Sequence, residues 1–192
     1  DYGVGNLRSI AKSIEKANSD NNLNYTVKVS SDIVDVKKSD KIVLPGQGSF
    51  KACKEGIDNI KGLQEELNES VLIKKKPIYG ICAGMQLFAT TGYEEEETSG
   101  LNWIPGEVIK LNLTSSKLKI PHMGWNELKV ENDSKVFKNM TDNSHAYFIH
   151  SYEFIPNDKK MVSITTDYGK DVIAAVSFVN IFGSQFHPEK SQ

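Results

Sequence analysis

Hydrophobic and polar positions change their period along this 192-residue chain. Leu7, Ile10, Ala11, Ile14 and Ala17 recur at helical spacing behind Asn6, a side chain suited to capping, and predict a helix. A polar loop leads to residues 25–29, whose alternation predicts a strand. Lys41-Ile42-Val43-Leu44 reads as a buried strand. It runs into Pro45-Gly46-Gln47-Gly48-Ser49-Phe50, a glycine loop opening a helix whose apolar stripe is Phe50, Cys53, Ile57 and Ile60. Residues 63–73 predict a further helix. After Pro77, the run 78–81 reads as a strand buried on both faces, and residues 85–90 as the start of a helix.

Strand and helix therefore alternate over the first half, which argues for an α/β fold with a parallel sheet. Beyond the acidic run 94–97, expected to be a solvated loop, the texture becomes strand-rich. Alternating segments at 107–113, 117–120, 127–130, 145–154, 161–166 and 173–179 are separated by short turns. No repeat or linker divides the chain, so a single domain over residues 1–192 is expected. The start at Asp1 and the stop just after Lys190 suggest trimming at both ends.

Composition narrows the partners. Charged residues make up 25%, and the net charge of −2 offers no attraction to nucleic acid or an anionic membrane. No apolar run approaches membrane-spanning length. Cys53 and Cys82 form no metal or redox spacing, and a reducing, cytoplasmic setting is expected. No metal or cofactor is expected.

Two joints carry candidate chemistry. Cys82 lies between the 78–81 strand and the following helix, with Gly80 and Gly84 two residues to either side. This is the layout of a nucleophile elbow with cysteine as the nucleophile. An exposed sulfur over the first turn of a helix would be favoured as thiolate. A lone cysteine at such a joint is equally open to a packing role. Near the end stands His187-Pro188-Glu189, a possible base and a carboxylate to orient it, or else a surface loop. The Pro45–Gly48 loop has three readings: a turn, a phosphate cradle, or an oxyanion hole. The phosphate reading lacks the glycine-lysine spacing it would need.

Gly80-Ile81-Cys82-Ala83-Gly84-Met85-Gln86 together with His187-Pro188-Glu189 resembles the class I (triad) glutamine amidotransferases. Within the class, Asp1-Tyr2-Gly3-Val4-Gly5-Asn6, the Pro45–Phe50 loop, Pro121-His122-Met123-Gly124-Trp125-Asn126 and Tyr147-Phe148-Ile149-His150-Ser151-Tyr152 look like the glutaminase subunits of imidazole glycerol phosphate synthases. The resemblance covers essentially the whole chain. It departs at Gln47, where the family usually has a small apolar residue, and the family's first strand and last helix are missing.

The resemblance implies a flavodoxin-like fold with a mixed central sheet flanked by helices. It implies a glutaminase in which Cys82 attacks the glutamine amide, His187 moves protons and Glu189 orients His187. Backbone N–H groups of Gly46, Gln47, Gly48 and Ala83 would form the oxyanion hole. Gln86, Ser151 and Tyr152 would hold the substrate's α-groups. The implied partner is a cyclase subunit (HisF-type) joined as a heterodimer with an ammonia channel, touching His122, Met123, Trp125, Asn126 and Lys190. The glycines around Gln47 would let a peptide rotate, so the partner would switch the site on. The rival readings are a paralogue feeding ammonia to another pathway such as sugar amidination, a free-standing cysteine hydrolase, and a non-catalytic interaction subunit.

Overall fold

The computed structural model describes residues 1–113, 117–132, 134–141 and 144–190. Helix α1 (Leu7–Asp20) starts where the Asn6 side chain accepts the Ser9 N–H, and α2 (Ile33–Lys38) starts where Asp32 accepts the Val34 N–H. Both caps satisfy donors that a helix N-terminus leaves orphaned. Strand β1 (Ile42–Gly46) leads through the glycine loop to α3 (Phe50–Asp58), capped by Ser49 and burying Phe50, Cys53 and Ile57. Helix α4 (Leu63–Asn68) passes into a π-helical turn at Glu69–Ile73, so the helix expected over 63–73 widens halfway along. Strand β2 (Ile78–Cys82) and the one-turn helix α5 (Ala83–Gln86) follow.

The remainder is strand: β3 (Thr91–Glu94), β4 (Glu96–Ser99), β5 (Gly106–Lys110), β6 (His122–Glu127), β7 (Lys129–Val130), β8 (His145–His150), β9 (Tyr152–Pro156), β10 (Val162–Asp167), β11 (Asp171–Phe178) and β12 (Ile181–Ser184). The central sheet has the order β1-β2-β12-β11-β10-β7, parallel across its first three strands and antiparallel beyond. A four-stranded sheet, β4-β3-β5-β9, and a ribbon of β6 and β8 complete the strand-rich half. The α/β class with a mixed sheet is therefore the observed architecture.

The elbow is anchored in the main core. Met85, Leu87, Phe88 and Ala89 are fully buried beside Phe50, Ile57, Val71 and Phe154. Each large side chain so buried contributes about 1.5–3 kcal/mol, which holds the turn after Cys82 in place. A second cluster, including Phe148, Ala174, Ala175 and Phe186, backs the segment that carries His187.

Four expectations are corrected. Residues 25–29 form no strand: the Asn18 side chain bonds both the N–H and the carbonyl of Tyr25, occupying groups a ladder would use. Residues 94–97 are not a free loop but the tip of the β3–β4 hairpin, with Glu95 at φ 65°. There Glu94 accepts the Phe50 N–H at 2.8 Å and Glu96 meets Lys51 at 2.8 Å. Residues 117–120 turn rather than pair, and the Lys119 carbonyl accepts the Tyr168 hydroxyl instead. The 145–154 run is two strands, because at Ser151 the chain leaves its β6 partner and joins β5.

Candidate active site

Strand register assembles the site. In the central sheet Gly46 is paired with Cys82, and Ser184 with Ile81, so the carboxyl ends of β1, β2 and β12 lie side by side. Loops leaving the ends of parallel strands share one crevice. The glycine loop, the Cys82 elbow and the 185–189 segment all leave from there.

Cys82 sits at φ 54° and ψ −116°, a conformation that costs a non-glycine residue roughly 1–3 kcal/mol and persists only where its surroundings over-determine it. Those surroundings are backbone against backbone. A Cβ on Gly84 would lie 2.0 Å from the Leu44 carbonyl oxygen, and one on Gly46 would lie 2.2 Å from the Gly84 nitrogen. Glycine is required at both because β1 and α5 touch there. The helix after Cys82 is a single turn, Ala83–Gln86, rather than the longer one expected from residue 85 onward. Its field at the sulfur is that of a few peptide N–H groups, not of a long macrodipole.

His187 is positioned by its backbone, whose N–H donates to the Tyr147 carbonyl at 3.0 Å while its own carbonyl accepts the Lys190 N–H at 3.0 Å. Its Nδ1 lies 2.9 Å from Glu189 Oε1, and the two side chains are only 11% and 2% exposed. Burial pulls the imidazole pKa down, but the adjoining Cys82 and the hydrogen bond and charge of Glu189 outweigh it and carry His187 up to about 9. Burial pushes Glu189 up, yet the hydrogen bond and charge of His187 prevail and hold its carboxyl below the ordinary range. The pair is thus poised as imidazolium and carboxylate.

The glycine loop is pinned from beneath. The Tyr2 hydroxyl donates to the Pro45 carbonyl, and Cys53 Sγ lies 3.9 Å from the Gln47 carbonyl. Burial pushes the Cys53 thiol up to about 11, which fits a core thiol rather than a nucleophile. Gln47 and Gly48 are exposed, so the glutamine in place of a small apolar residue disturbs no packing. Gly48 has φ +112°, the left-handed region that favours glycine. Gly46 packs against Ala83 and is paired with Cys82, so of the four residues expected to supply oxyanion donors these two adjoin Cys82, and Gln47 and Gly48 follow Gly46 in the chain.

Gln86 Nε2 donates to the Tyr152 carbonyl at 3.0 Å and to Gln185 Oε1 at 2.8 Å. The Ser151 carbonyl accepts the Leu111 N–H at 2.9 Å. Gln86 and Tyr152 are therefore joined directly, with Ser151 next in the chain. Gln185, which the motif reading passed over, donates Nε2 to Cys82 Sγ at 3.5 Å. Its signal was its position two residues before His187, one step past the strand end paired beside Cys82.

Of the residues expected on a partner surface, Met123 and Trp125 are half exposed on one side of β6, and Lys190 is exposed with its Nζ 5.1 Å from the Tyr147 ring centre. Asn126 is half-buried and donates to the Asp167 carbonyl at 2.8 Å. His122 is corrected: strand alternation turns it inward, 2% exposed, stacked on Phe148 and Tyr168 and 3.1 Å from His150. Burial lowers both histidines to about 4. Among the described residues no cluster of three metal-ligating side chains occurs, and no helix is long and apolar enough to cross a membrane.

A strained cysteine, a carboxylate-held imidazole and a glycine loop at neighbouring strand ends are equipped for acyl transfer through a thioester. Fold and site together define a class I glutamine amidotransferase. The family model "Glutamine amidotransferase class-I" matches residues 1–192. Solved structures of similar fold include a glutamine amidotransferase (TM-score 0.72, 16% identity, 97% of this chain and 87% of that one) and the glutaminase domain of Trypanosoma brucei CTPS with bound acivicin (TM-score 0.62, 17% identity, 94% and 79%). Curated relatives are much nearer in sequence. "Imidazole glycerol phosphate synthase subunit HisH" of Pelagibacter ubique is 49% identical over all of this chain and 90% of its own length. Proteins of the same name from Bradyrhizobium diazoefficiens and Brucella suis are 45% and 43% identical, again over 100% and 90%. The chain belongs to this HisH family of the class I glutamine amidotransferases.

Proposed function

We propose that this chain is the glutaminase subunit of an imidazole glycerol phosphate synthase, acting in histidine biosynthesis as one cytoplasmic domain over residues 1–192. The observation that carries the reading is the in-register alignment of β2 with β12. It sets Cys82 beside the segment in which His187 is bonded to buried Glu189. The 49% identity to a HisH subunit supports the choice of pathway.

Cys82 Sγ adds to the side-chain amide carbon of glutamine. The resulting oxyanion is received by backbone N–H groups of Ala83 and of the Gly46-Gln47-Gly48 loop. His187 gives its proton to the departing nitrogen, the C–N bond breaks, and ammonia leaves a γ-glutamyl thioester. His187 then takes a proton from water, whose oxygen attacks the thioester and releases glutamate and the thiolate. Glu189 keeps the imidazole oriented through Nδ1. Gln86, with the backbone near Ser151 and Tyr152, holds the substrate's α-groups. The ammonia passes to a HisF-type cyclase subunit that forms imidazole glycerol phosphate and the aminoimidazole carboxamide ribonucleotide. That partner sits on the face bearing Met123, Trp125 and Lys190.

The test is Cys82→Ser in the assembled complex. Glutamine-dependent synthesis is expected to vanish while synthesis from added ammonium salts persists, because only ammonia release needs the sulfur. Substantial glutamine-dependent turnover by that variant would remove Cys82 from the role.

A further inference from the structure

The hydrogen bonds behind Cys82 have a polarity that one atom dictates. The Tyr152 carbonyl oxygen can only accept, and it receives Gln86 Nε2 at 3.0 Å. The second hydrogen of that amide goes to Gln185 Oε1 at 2.8 Å. Gln185 must then turn its own Nε2 the other way, and Nε2 lies 3.5 Å from Cys82 Sγ. The same carbonyl receives His150 Nδ1 at 2.9 Å, leaving His150 Nε2 to accept from His122 Nδ1 at 3.1 Å. Reversing Gln86 would set acceptor against acceptor at the Tyr152 carbonyl, and reversing Gln185 would set donor against donor at Gln86 Nε2. Gln185 is fully buried and Gln86 is 5% exposed, so water offers neither an easy alternative. The Gln185 backbone is fixed as well, its N–H donating to the Ala174 carbonyl at 2.8 Å.

We propose that Gln185 is a catalytic residue of this site: its amide N–H stabilises Cys82 as the thiolate, and its carbonyl oxygen locks Gln86 in the orientation that receives substrate. The proposal rests on Cys82 being the nucleophile. A thiol sulfur is a weak acceptor, whereas a thiolate accepts a charge-assisted bond, so a fixed donor favours the ionised form. The difference between a neutral and a charge-assisted bond corresponds to about tenfold in thiolate population. Gln86 has both amide hydrogens engaged, so its oxygen is what remains for a ligand. An acceptor there suits the α-ammonium group of glutamine rather than its carboxylate. Nucleophile and substrate-recognising amide are thus joined through one side chain.

The experiment follows alkylation of Cys82 by iodoacetamide from pH 5 to 10 in the full chain bound to its cyclase partner, with Cys82 and Cys53 distinguished by peptide mass spectrometry. Steady-state kcat and KM for glutamine are measured in parallel. Gln185→Met keeps the volume but removes donor and acceptor. It is expected to move the alkylation midpoint up by about one pH unit, slow alkylation at pH 7 about tenfold and raise KM as Gln86 loses its lock. Gln185→Glu supplies a donor only when protonated, so its deficit relative to wild type should grow as that carboxyl ionises. In the wild-type complex, the Gln185 side-chain amide proton should shift downfield as Cys82 ionises, a readout that needs no substitution. Wild-type alkylation profiles in both variants, or an amide proton indifferent to Cys82 ionisation, would overturn the role of Gln185. A wild-type Cys82 that reacts no faster than Cys53 would instead overturn the nucleophile itself.

Discussion

Replacing Glu189 by glutamine isolates what the carboxylate does for the imidazole. The glutamine oxygen can still accept from His187 Nδ1, but the charge is gone. In the wild-type chain His187 stands at about 9 although burial works against it, a rise above 6.5 equivalent to about 3 kcal/mol in favour of the imidazolium. Cys82 and Glu189 share that support, so Glu189→Gln should lower the His187 midpoint by about one to two pH units. The assay is a histidine ¹H–¹⁵N titration of the full chain. His122 and His150, buried and held near 4, stay neutral over most of that range. Glutaminase turnover in the complex should fall about 10–100-fold, and less than in His187→Ala, which removes the acid–base altogether and forfeits ~10²–10⁴. Stability has a definite pH signature. The contribution of His187, whose pKa is raised, is complete below about 6.5 and is lost as pH climbs to about 9. That of Glu189, whose pKa is depressed, is present above the ordinary carboxylate range and is lost as pH falls through its lowered value. The stability gap between wild type and variant should therefore be widest between these limits, at roughly pH 5–6.5. An unmoved His187 midpoint, or a gap that widens toward pH 9, would refute the coupling.

Three further outcomes are expected. Gly84→Ala forces a Cβ to 2.0 Å from the Leu44 carbonyl oxygen, so β1 and the elbow must separate; urea unfolding should show a loss of at least about 1–3 kcal/mol, with glutaminase activity falling alongside, and wild-type values for both would sink the close-approach argument. His122 and His150 are buried and neutral, so the unfolded chain binds more protons below about pH 6.5 and stability should decline from there toward pH 4, by on the order of 3 kcal/mol for each. His122→Phe should reduce that slope in pH-dependent unfolding, and an identical slope would remove His122 as its source. Glutamine hydrolysis by the chain alone should be slow and should rise steeply with the cyclase subunit and its ribonucleotide, since one misdirected oxyanion donor forfeits ~10²–10³ in turnover; equal rates with and without them would exclude a partner-controlled loop.

The parts of the site that were legible are those in which chemistry depends on local spacing. Gly80-x-Cys82-x-Gly84 and His187-x-Glu189 each specify a short backbone path, and their geometry follows from the residues within it. The Asn6 cap was readable for the same reason. Misreadings arose where a side chain outside the segment decided the outcome. Residues 25–29 alternate like a strand, yet Asn18 takes the backbone groups of Tyr25. The acidic run 94–97 looks fit only for solvent, yet Glu94 is fixed by the Phe50 N–H across 44 positions of sequence.

By itself the sequence determined the alternation of strand and helix over the first half and the elbow layout, because helical and strand periods and glycine at tight turns are properties of short segments. It was the resemblance to the class I glutamine amidotransferases that singled out Cys82, His187 and Glu189 as candidates. Only the tertiary structure decided that β2 pairs with β12, which brings Cys82 to residues more than a hundred positions away. It likewise turned His122 inward, and it ran the chain of amides from the Tyr152 carbonyl through Gln86 and Gln185 to the sulfur. Such a chain has no sequence signature, since the direction of each hydrogen bond is set by the neighbour that a distant strand supplies.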